Sequence, residues 1–148
     1  MPQFDQDRIL KLISQMRKAL LHLNRLKEYD REDFLNDPDK IGSAKYYFII
    51  AIEAAIDMCN HIISRNGYRV PEDYADTFAV LGEQGAFDKE FVKELKKMAK
   101  FRNRLVHLYW EVNDDQIYNI LQTKLGDFKK FLTELGEFLN LQEITNIL

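Results

Sequence analysis

The chain has 148 residues, of which 46% are hydrophobic, and carries a formal net charge of −3. This length and apolar content suit one domain with a core of its own, and the acidic balance argues against a protein that coats nucleic acid indiscriminately. The first residues lack a basic segment followed by an apolar run, and no stretch reaches about 18 uninterrupted apolar residues. We therefore expect a single domain over residues 1–148, cytoplasmic and without a membrane segment. The single cysteine, Cys59, fits a reducing compartment.

Apolar residues at helical spacing predict four long helices and one short one. The first three are expected at about 7–29, 41–65 and 72–84. The fourth should begin after Asp88 as its cap and run into residues 102–109. The last should begin after Asn113 as its cap and continue through Leu135. The sequence Asn-Asp-Pro-Asp at 36–39 is predicted to be a loop. The second helix is apolar on most sides and should be central. Since no segment alternates with period two, we predict an all-α, up-and-down helical bundle.

The segment 102–109 concentrates the side chains that suit phosphodiester chemistry. Arg102 is a permanent cation whose planar fork matches a phosphate, and His107 belongs to the residue type that titrates near neutrality. Between Lys89 and Arg104, seven basic residues stand against two acidic ones. This charge favours either a solvated helix face or a surface that receives an anionic ligand.

Helical geometry does not by itself bring Arg102 and His107 together. Five residues apart, they point about 140° away from each other on an ideal helix. Three explanations remain open: the long arginine wraps around the helix, the helix distorts near its end, or a second copy of the chain completes the site.

A second polar feature is the set Glu53, Asp57 and His61, spaced by four on the central helix. Charged groups on an apolar helix need partners, because burying an unpaired charge is costly. The stripe is open to three interpretations: a partly exposed face, a polar partner set for Arg102 and His107, or a metal site. The metal site is the least favoured, since the paired Glu-x-x-His elements of bundle metal sites are absent.

The spacing Arg102-x4-His107-x-Tyr109 resembles the R-x4-H-x-Y signature of the HepT branch of the HEPN superfamily, whose members are ribonuclease toxins. The stretches 51–57, 67–71 and 98–103 also resemble that family in order and spacing. The resemblance implies a HEPN-like helical bundle that forms a homodimer, with Arg and His of both chains in one composite cleft.

The resemblance further implies RNA cleavage that needs no metal and no cofactor. Arg102 and His107 would be the catalytic residues, with His107 transferring protons and Arg102 stabilising the phosphate. Asn103 and an acidic residue of the central helix, Asp57 or Glu53, would support them. The basic residues expected to contact RNA are Lys97, Lys100 and Arg104.

Tyr109 would act as a switch in this scheme. In the systems that the chain resembles, a small MntA-like nucleotidyltransferase antitoxin transfers AMP to this tyrosine, which would place negative charge and bulk beside Arg102. An alternative function is a non-catalytic HEPN subunit that binds or scaffolds a nucleotidyltransferase.

Overall fold

The computed structural model describes residues 1–141, which contain seven α-helices and one 3-10 turn. The α-helices are α1 (Gln6–Lys27), α2 (Arg31–Leu35), α3 (Pro38–Asn66), α4 (Tyr74–Glu83), α5 (Lys89–His107), α6 (Asp114–Thr123) and α7 (Gly126–Leu139). The 3-10 helix Tyr109–Glu111 joins α5 to α6. No strand occurs within these residues, so the prediction of an all-α fold is confirmed. Residues 142–148 lie outside the described part, and the extent of the domain to residue 148 stays a prediction.

The helix α3 is the centre of the bundle, as its apolar sequence predicted. It contacts α1, α2, α4, α5 and α6, and its buried side chains include Phe48, Ile52, Met58 and Ile62. By length and composition α3 alone among the described helices could cross a membrane, but 56% of its most apolar window is buried inside the bundle. Its hydrophobicity is therefore accounted for by core packing.

Acidic or amide side chains begin six of the α-helices and fix where those helices start. The side chains of Asp88 and Asn113 accept the backbone N–H groups of Phe91 and Gln116, which confirms both predicted caps. Asp5, Asp30, Asp37 and Asp73 do the same for α1, α2, α3 and α4. The helix α3 ends at Gly67, whose φ of 63° is a left-handed conformation that glycine adopts without a Cβ penalty.

The predicted loop at 36–39 is shorter in the structure. Pro38 and Asp39 form the first turn of α3, where the missing N–H of proline costs no helical hydrogen bond. The preceding residues 31–35 form the short helix α2, capped by Asp30 and anchored by the buried ring of Phe34. The prediction of a continuous loop was wrong because one buried aromatic gives a single helical turn enough packing to form.

The prediction of one uninterrupted last helix was also wrong, because the helix is interrupted between α6 and α7. At the break the N–H of Asp127 and of Phe128 donate to carbonyls three residues earlier, those of Lys124 and Leu125. Gly126 lies at this point, and glycine is about 1 kcal/mol less favourable than alanine within a helix. Leu121, Leu125 and Phe128 keep helical spacing across the break and are all buried, so periodicity alone did not reveal it.

Hydrogen bonds tie the segment before α1 to the end of α3. The N–H of Asp5 donates to Nε2 of His61 at 2.9 Å. The backbone N–H of Gln3 donates to Asn66 Oδ1 at 2.7 Å, and Asn66 Nδ2 donates back to the Gln3 carbonyl at 2.8 Å. Because Nε2 of His61 accepts a hydrogen bond, the imidazole is held neutral. Desolvation and then the Arg65 cation lower the pKa of His61 below its usual 6.5.

This histidine should make the stability of the fold depend on pH in a mildly acidic window. With its pKa lowered in the folded state, His61 binds a proton more readily in the unfolded chain, so the free energy of unfolding falls as pH drops below about 6.5. We expect chemical denaturation between pH 7.5 and 5.5 to show this loss. His61→Gln, which keeps an acceptor but does not titrate, should reduce the slope. An unchanged slope would assign the effect to other groups.

Candidate functional site

The guanidinium of Arg102 lies between α5 and α3 and is held on three sides. Nη2 and Nε donate to Glu53 Oε1 at 2.6 and 3.1 Å, and Nη1 donates to Asn103 Oδ1 at 3.1 Å. Cζ of Arg102 lies over the ring of Tyr74, from the first turn of α4, at 4.9 Å from the ring centroid. The Arg102 side chain is consequently only 11% exposed. These contacts give the cation one fixed orientation.

His107 is the last residue of α5 and its side chain is exposed beside a shallow groove. The residues that line this groove come from the start of α4 and the end of α5: Asp73, Tyr74, Asn103, Arg104, His107 and Leu108. Arg102 is not a lining residue. It lies behind the groove, and Tyr74 and Asn103 contact both Arg102 and the groove space. Within one chain, therefore, the predicted catalytic residues Arg102 and His107 both belong to the end of α5. Of the two, only His107 lies on the open surface of the groove.

Tyr109 lies outside this groove on the 3-10 helix that follows α5. Its side chain is 62% exposed, and its ring packs edge-on against Trp110 at a centroid distance of 5.3 Å. Arg104 holds the turn in place, since its Nη2 donates to the Glu111 carbonyl and to Gln116 Oε1, both at 3.2 Å. Tyr109 and His107 therefore belong to different elements, and of the two only His107 lines the groove.

The stripe Glu53, Asp57 and His61 divides into different environments. Glu53 is the carboxylate partner of Arg102, whereas His61 accepts the hydrogen bond from the N-terminal segment described above. Asp57 lies between them and is solvent-accessible; partial desolvation raises its pKa, and the nearby Arg8 cation opposes that shift. Within residues 1–141, no three His, Cys, Asp or Glu side chains are grouped as a metal site would need. The arrangement thus favours the polar-partner interpretation for Glu53.

The three basic residues predicted to contact RNA lie in different places. Arg104 lines the groove while it also holds the 3-10 helix. Lys100 is exposed on α5. Lys97 pairs with Glu94 at 3.1 Å and lines a separate, mainly apolar cavity between α3, α5, α6 and α7. Lys97 is therefore not part of the groove that contains His107.

No motif or spacing in the sequence singled out Tyr74 or Asp73. Asp73 caps α4, with its Oδ1 accepting the N–H of Asp76 at 2.7 Å, and Tyr74 follows as the first helical residue. The available signal was an aromatic residue on the first turn of a capped helix. Such a position leaves a large ring on the surface, but the sequence does not say which side chain the ring will cover.

The chemistry available here is proton transfer next to a fixed positive charge. An exposed imidazole can accept or donate a proton, and the adjacent guanidinium can stabilise a phosphate that gains charge. Glu53 accepts hydrogen bonds from Nε and Nη2 of Arg102, so the remaining N–H groups of the guanidinium point away from this carboxylate. The groove itself thus presents the imidazole of His107 and the cation of Arg104, with Arg102 behind it.

Comparison with known proteins identifies the family of the chain. The family model described as ribonuclease HepT-like matches residues 9–135. The chain belongs to the ribonuclease HepT-like family. This match confirms the family that the motif around Arg102, His107 and Tyr109 resembled, and it includes all three positions.

Two curated HepT proteins are similar in sequence. The mRNA nuclease HepT of Shewanella oneidensis is 35% identical over 80 residues, which span 54% of this chain and 60% of that relative. The tRNA nuclease HepT of Aphanizomenon flos-aquae is 22% identical over 122 residues, or 82% of this chain and 83% of its own. The match to the Shewanella protein thus covers less than two thirds of its length.

A solved HEPN structure has the same fold as this HepT-like chain. It contains the tri-AMPylated HEPN toxin of Shewanella oneidensis in complex with its MNT antitoxin. The toxin superposes with a TM-score of 0.82 at 27% identity, over 88% of this chain and 98% of that one. The predicted HEPN-like helical bundle is therefore confirmed.

Proposed function

We propose that this HepT-like protein is the toxin of a toxin–antitoxin pair, a cytoplasmic endoribonuclease that cleaves RNA without a metal ion. The observation that carries the proposal is an exposed imidazole in front of a held cation. His107 is exposed in the groove, and Arg102 lies behind the groove in contact with Glu53, Asn103 and Tyr74. The names of the relatives, mRNA and tRNA nuclease, support the substrate class. The alternative of a non-catalytic HEPN subunit would not require such a fixed cation next to an accessible imidazole.

In this mechanism His107 transfers the protons and Arg102 stabilises the phosphate. As a base, His107 removes the proton of the ribose 2′-OH, so that the 2′-oxygen bonds to phosphorus while the bond from phosphorus to the 5′-oxygen breaks. As an acid, it supplies the proton that the leaving 5′-oxygen takes up. The guanidinium of Arg102 stabilises the charge that grows on the phosphate oxygens.

The supporting residues act through these two. Asn103 accepts a hydrogen bond from Arg102 and also lines the groove, so it links the cation to the substrate surface. Glu53, rather than Asp57, is the acidic residue that orients Arg102, since only Glu53 hydrogen-bonds to it. Lys97, Lys100 and Arg104 stay predicted RNA contacts, and the placement of Arg104 in the groove favours it most.

A homodimer would bring a second Arg102 and His107 to the same cleft. Large apolar side chains are exposed around the groove, including Leu108 at 38% and Trp110 at 67%. Exposed apolar groups clustered at one place are typical of a protein interface. We infer that the partner copy covers this region, so that the Arg102 and His107 of both chains contribute to one cleft.

Tyr109 would be the site of silencing by an MntA-like nucleotidyltransferase antitoxin. Its exposed phenol is accessible to such an enzyme, and it lies two residues from His107. The AMPylated Shewanella toxin supports this role. An AMP group here would add negative charge and bulk next to the groove and exclude the RNA phosphate.

We expect the purified protein to cleave RNA in the presence of EDTA. His107→Ala should lower the rate by about 100- to 10,000-fold, since it removes a positioned proton-transfer group. His22→Ala is the matched control, because His22 stacks on Tyr47 between α1 and α3 and lies outside the groove. Cleavage lost in EDTA alone would contradict metal independence. Equal cleavage by His107→Ala would contradict the assignment of His107.

A shared cleft predicts complementation between two inactive variants. Arg102→Ala and His107→Ala should each be inactive, but mixed dimers formed by co-expression should regain cleavage, because one composite site then keeps an arginine from one chain and a histidine from the other. Arg102→Ala combined with the double variant is the control and should stay inactive. Light scattering should show a dimer, and an active monomer would contradict the shared cleft.

Co-expression with the cognate nucleotidyltransferase should add AMP to the peptide that contains Tyr109. Mass spectrometry of that peptide tests the modification directly. Tyr109→Phe should escape silencing and remain toxic, since it lacks the phenol oxygen. Tyr46→Phe is the control, because Tyr46 is a similarly exposed tyrosine on α3, at 57%. If Tyr109→Phe is neutralised as fully as the unaltered protein, silencing does not require this residue.

A further inference from the structure

Tyr74 does not belong to the motif that contains Arg102 and His107. It nevertheless contacts Arg102 and also lines the groove. Its ring centroid lies 4.9 Å from Cζ of Arg102, and the same side chain lines the groove beside His107. The side chain is 43% exposed, so it is not a core residue. An aromatic face over a guanidinium is attractive because the ring quadrupole favours a cation above its plane.

The segment that presents Tyr74 is held rigidly. Arg69 donates to both carboxylate oxygens of Asp76, at 2.7 and 2.9 Å, and also to Glu83 at 2.9 Å. Asp76 Oδ2 in addition accepts the N–H of Glu72 at 2.9 Å. Together with Asp73 as N-cap, these bonds fix the first turn of α4 on both sides of Tyr74. The ring is therefore presented to Arg102 by an ordered turn.

The three partners of Arg102 restrict different motions of its guanidinium. Glu53 accepts from Nε and Nη2, Asn103 accepts from Nη1, and both lie at the edge of the group. The aromatic ring adds a third contact to these hydrogen bonds and further restricts the motion of the guanidinium. Tyr74 supplies this contact, with Cζ of Arg102 lying over its ring.

We propose that Tyr74 is a positioning residue for RNA cleavage, which holds the guanidinium of Arg102 so that its remaining N–H groups face the scissile phosphate. The contact needs the aromatic ring and not the hydroxyl. This role rests on the proposed ribonuclease function and acts through Arg102. Misplacing a catalytic cation weakens the stabilisation of the transition state more than it weakens substrate binding. Removing the ring of Tyr74 should therefore lower kcat more than it raises KM.

Kinetics of RNA cleavage by Tyr74→Phe and Tyr74→Leu test the ring directly. Tyr74→Phe should keep kcat close to that of the unaltered protein, and Tyr74→Leu should lower kcat by about tenfold with little change in KM. Tyr46→Leu is the matched control, since Tyr46 is an exposed tyrosine that packs against Tyr47 outside the groove. Equal loss in Tyr74→Phe and Tyr74→Leu would overturn the proposal in favour of a hydroxyl role, and full activity of Tyr74→Leu would overturn it outright.

A second measurement makes the stack testable without cleavage. The Nε–Hε resonance of Arg102 should carry a ring-current shift in the unaltered protein and in Tyr74→Phe, and should lose it in Tyr74→Leu. The same spectra show whether each variant is folded. An unchanged Arg102 resonance in Tyr74→Leu would overturn the stack. Absence of cleavage by the unaltered protein would overturn the ribonuclease function, and with it the catalytic part of this role, while the resonance still decides the contact.

Discussion

The ion pair between Glu53 and Arg102 is the interaction on which the site depends. It joins the central helix α3 to α5 at an N–O distance of 2.6 Å, with the arginine side chain only 11% exposed. A cation at such a position would carry a desolvation cost if it had no partner. The carboxylate on an otherwise apolar helix offsets that cost, and it also decides which edge of the guanidinium is left for a substrate.

The remainder of the site follows from how α5 ends. His107 closes the helix and the next residues form a 3-10 turn, which Arg104 holds through the Glu111 carbonyl and Gln116. His107 lines the groove, whereas Tyr109 lies outside it on the 3-10 helix. None of the hydrogen bonds that hold Arg102 involves Tyr109.

Most of the helices could be predicted because each has a local signal. The caps Asp88 and Asn113 and the apolar face of α3 are visible in a short window of sequence, and the structure confirms them. The break at Gly126 was missed because the apolar spacing continues unchanged through it. The helix α2 was missed because it depends on one buried ring, that of Phe34. Such features are decided by packing between helices.

The sequence by itself determined the chemical groups of the site: a fixed cation, an imidazole and a phenol at 102, 107 and 109, together with the family whose motif they match. Only the tertiary structure decided that Glu53 rather than Asp57 contacts Arg102, and that Arg102 lies over the ring of Tyr74. The physical reason is that spacing along one helix sets which side chains share a face, whereas partners from α3 and α4 depend on how separate helices pack.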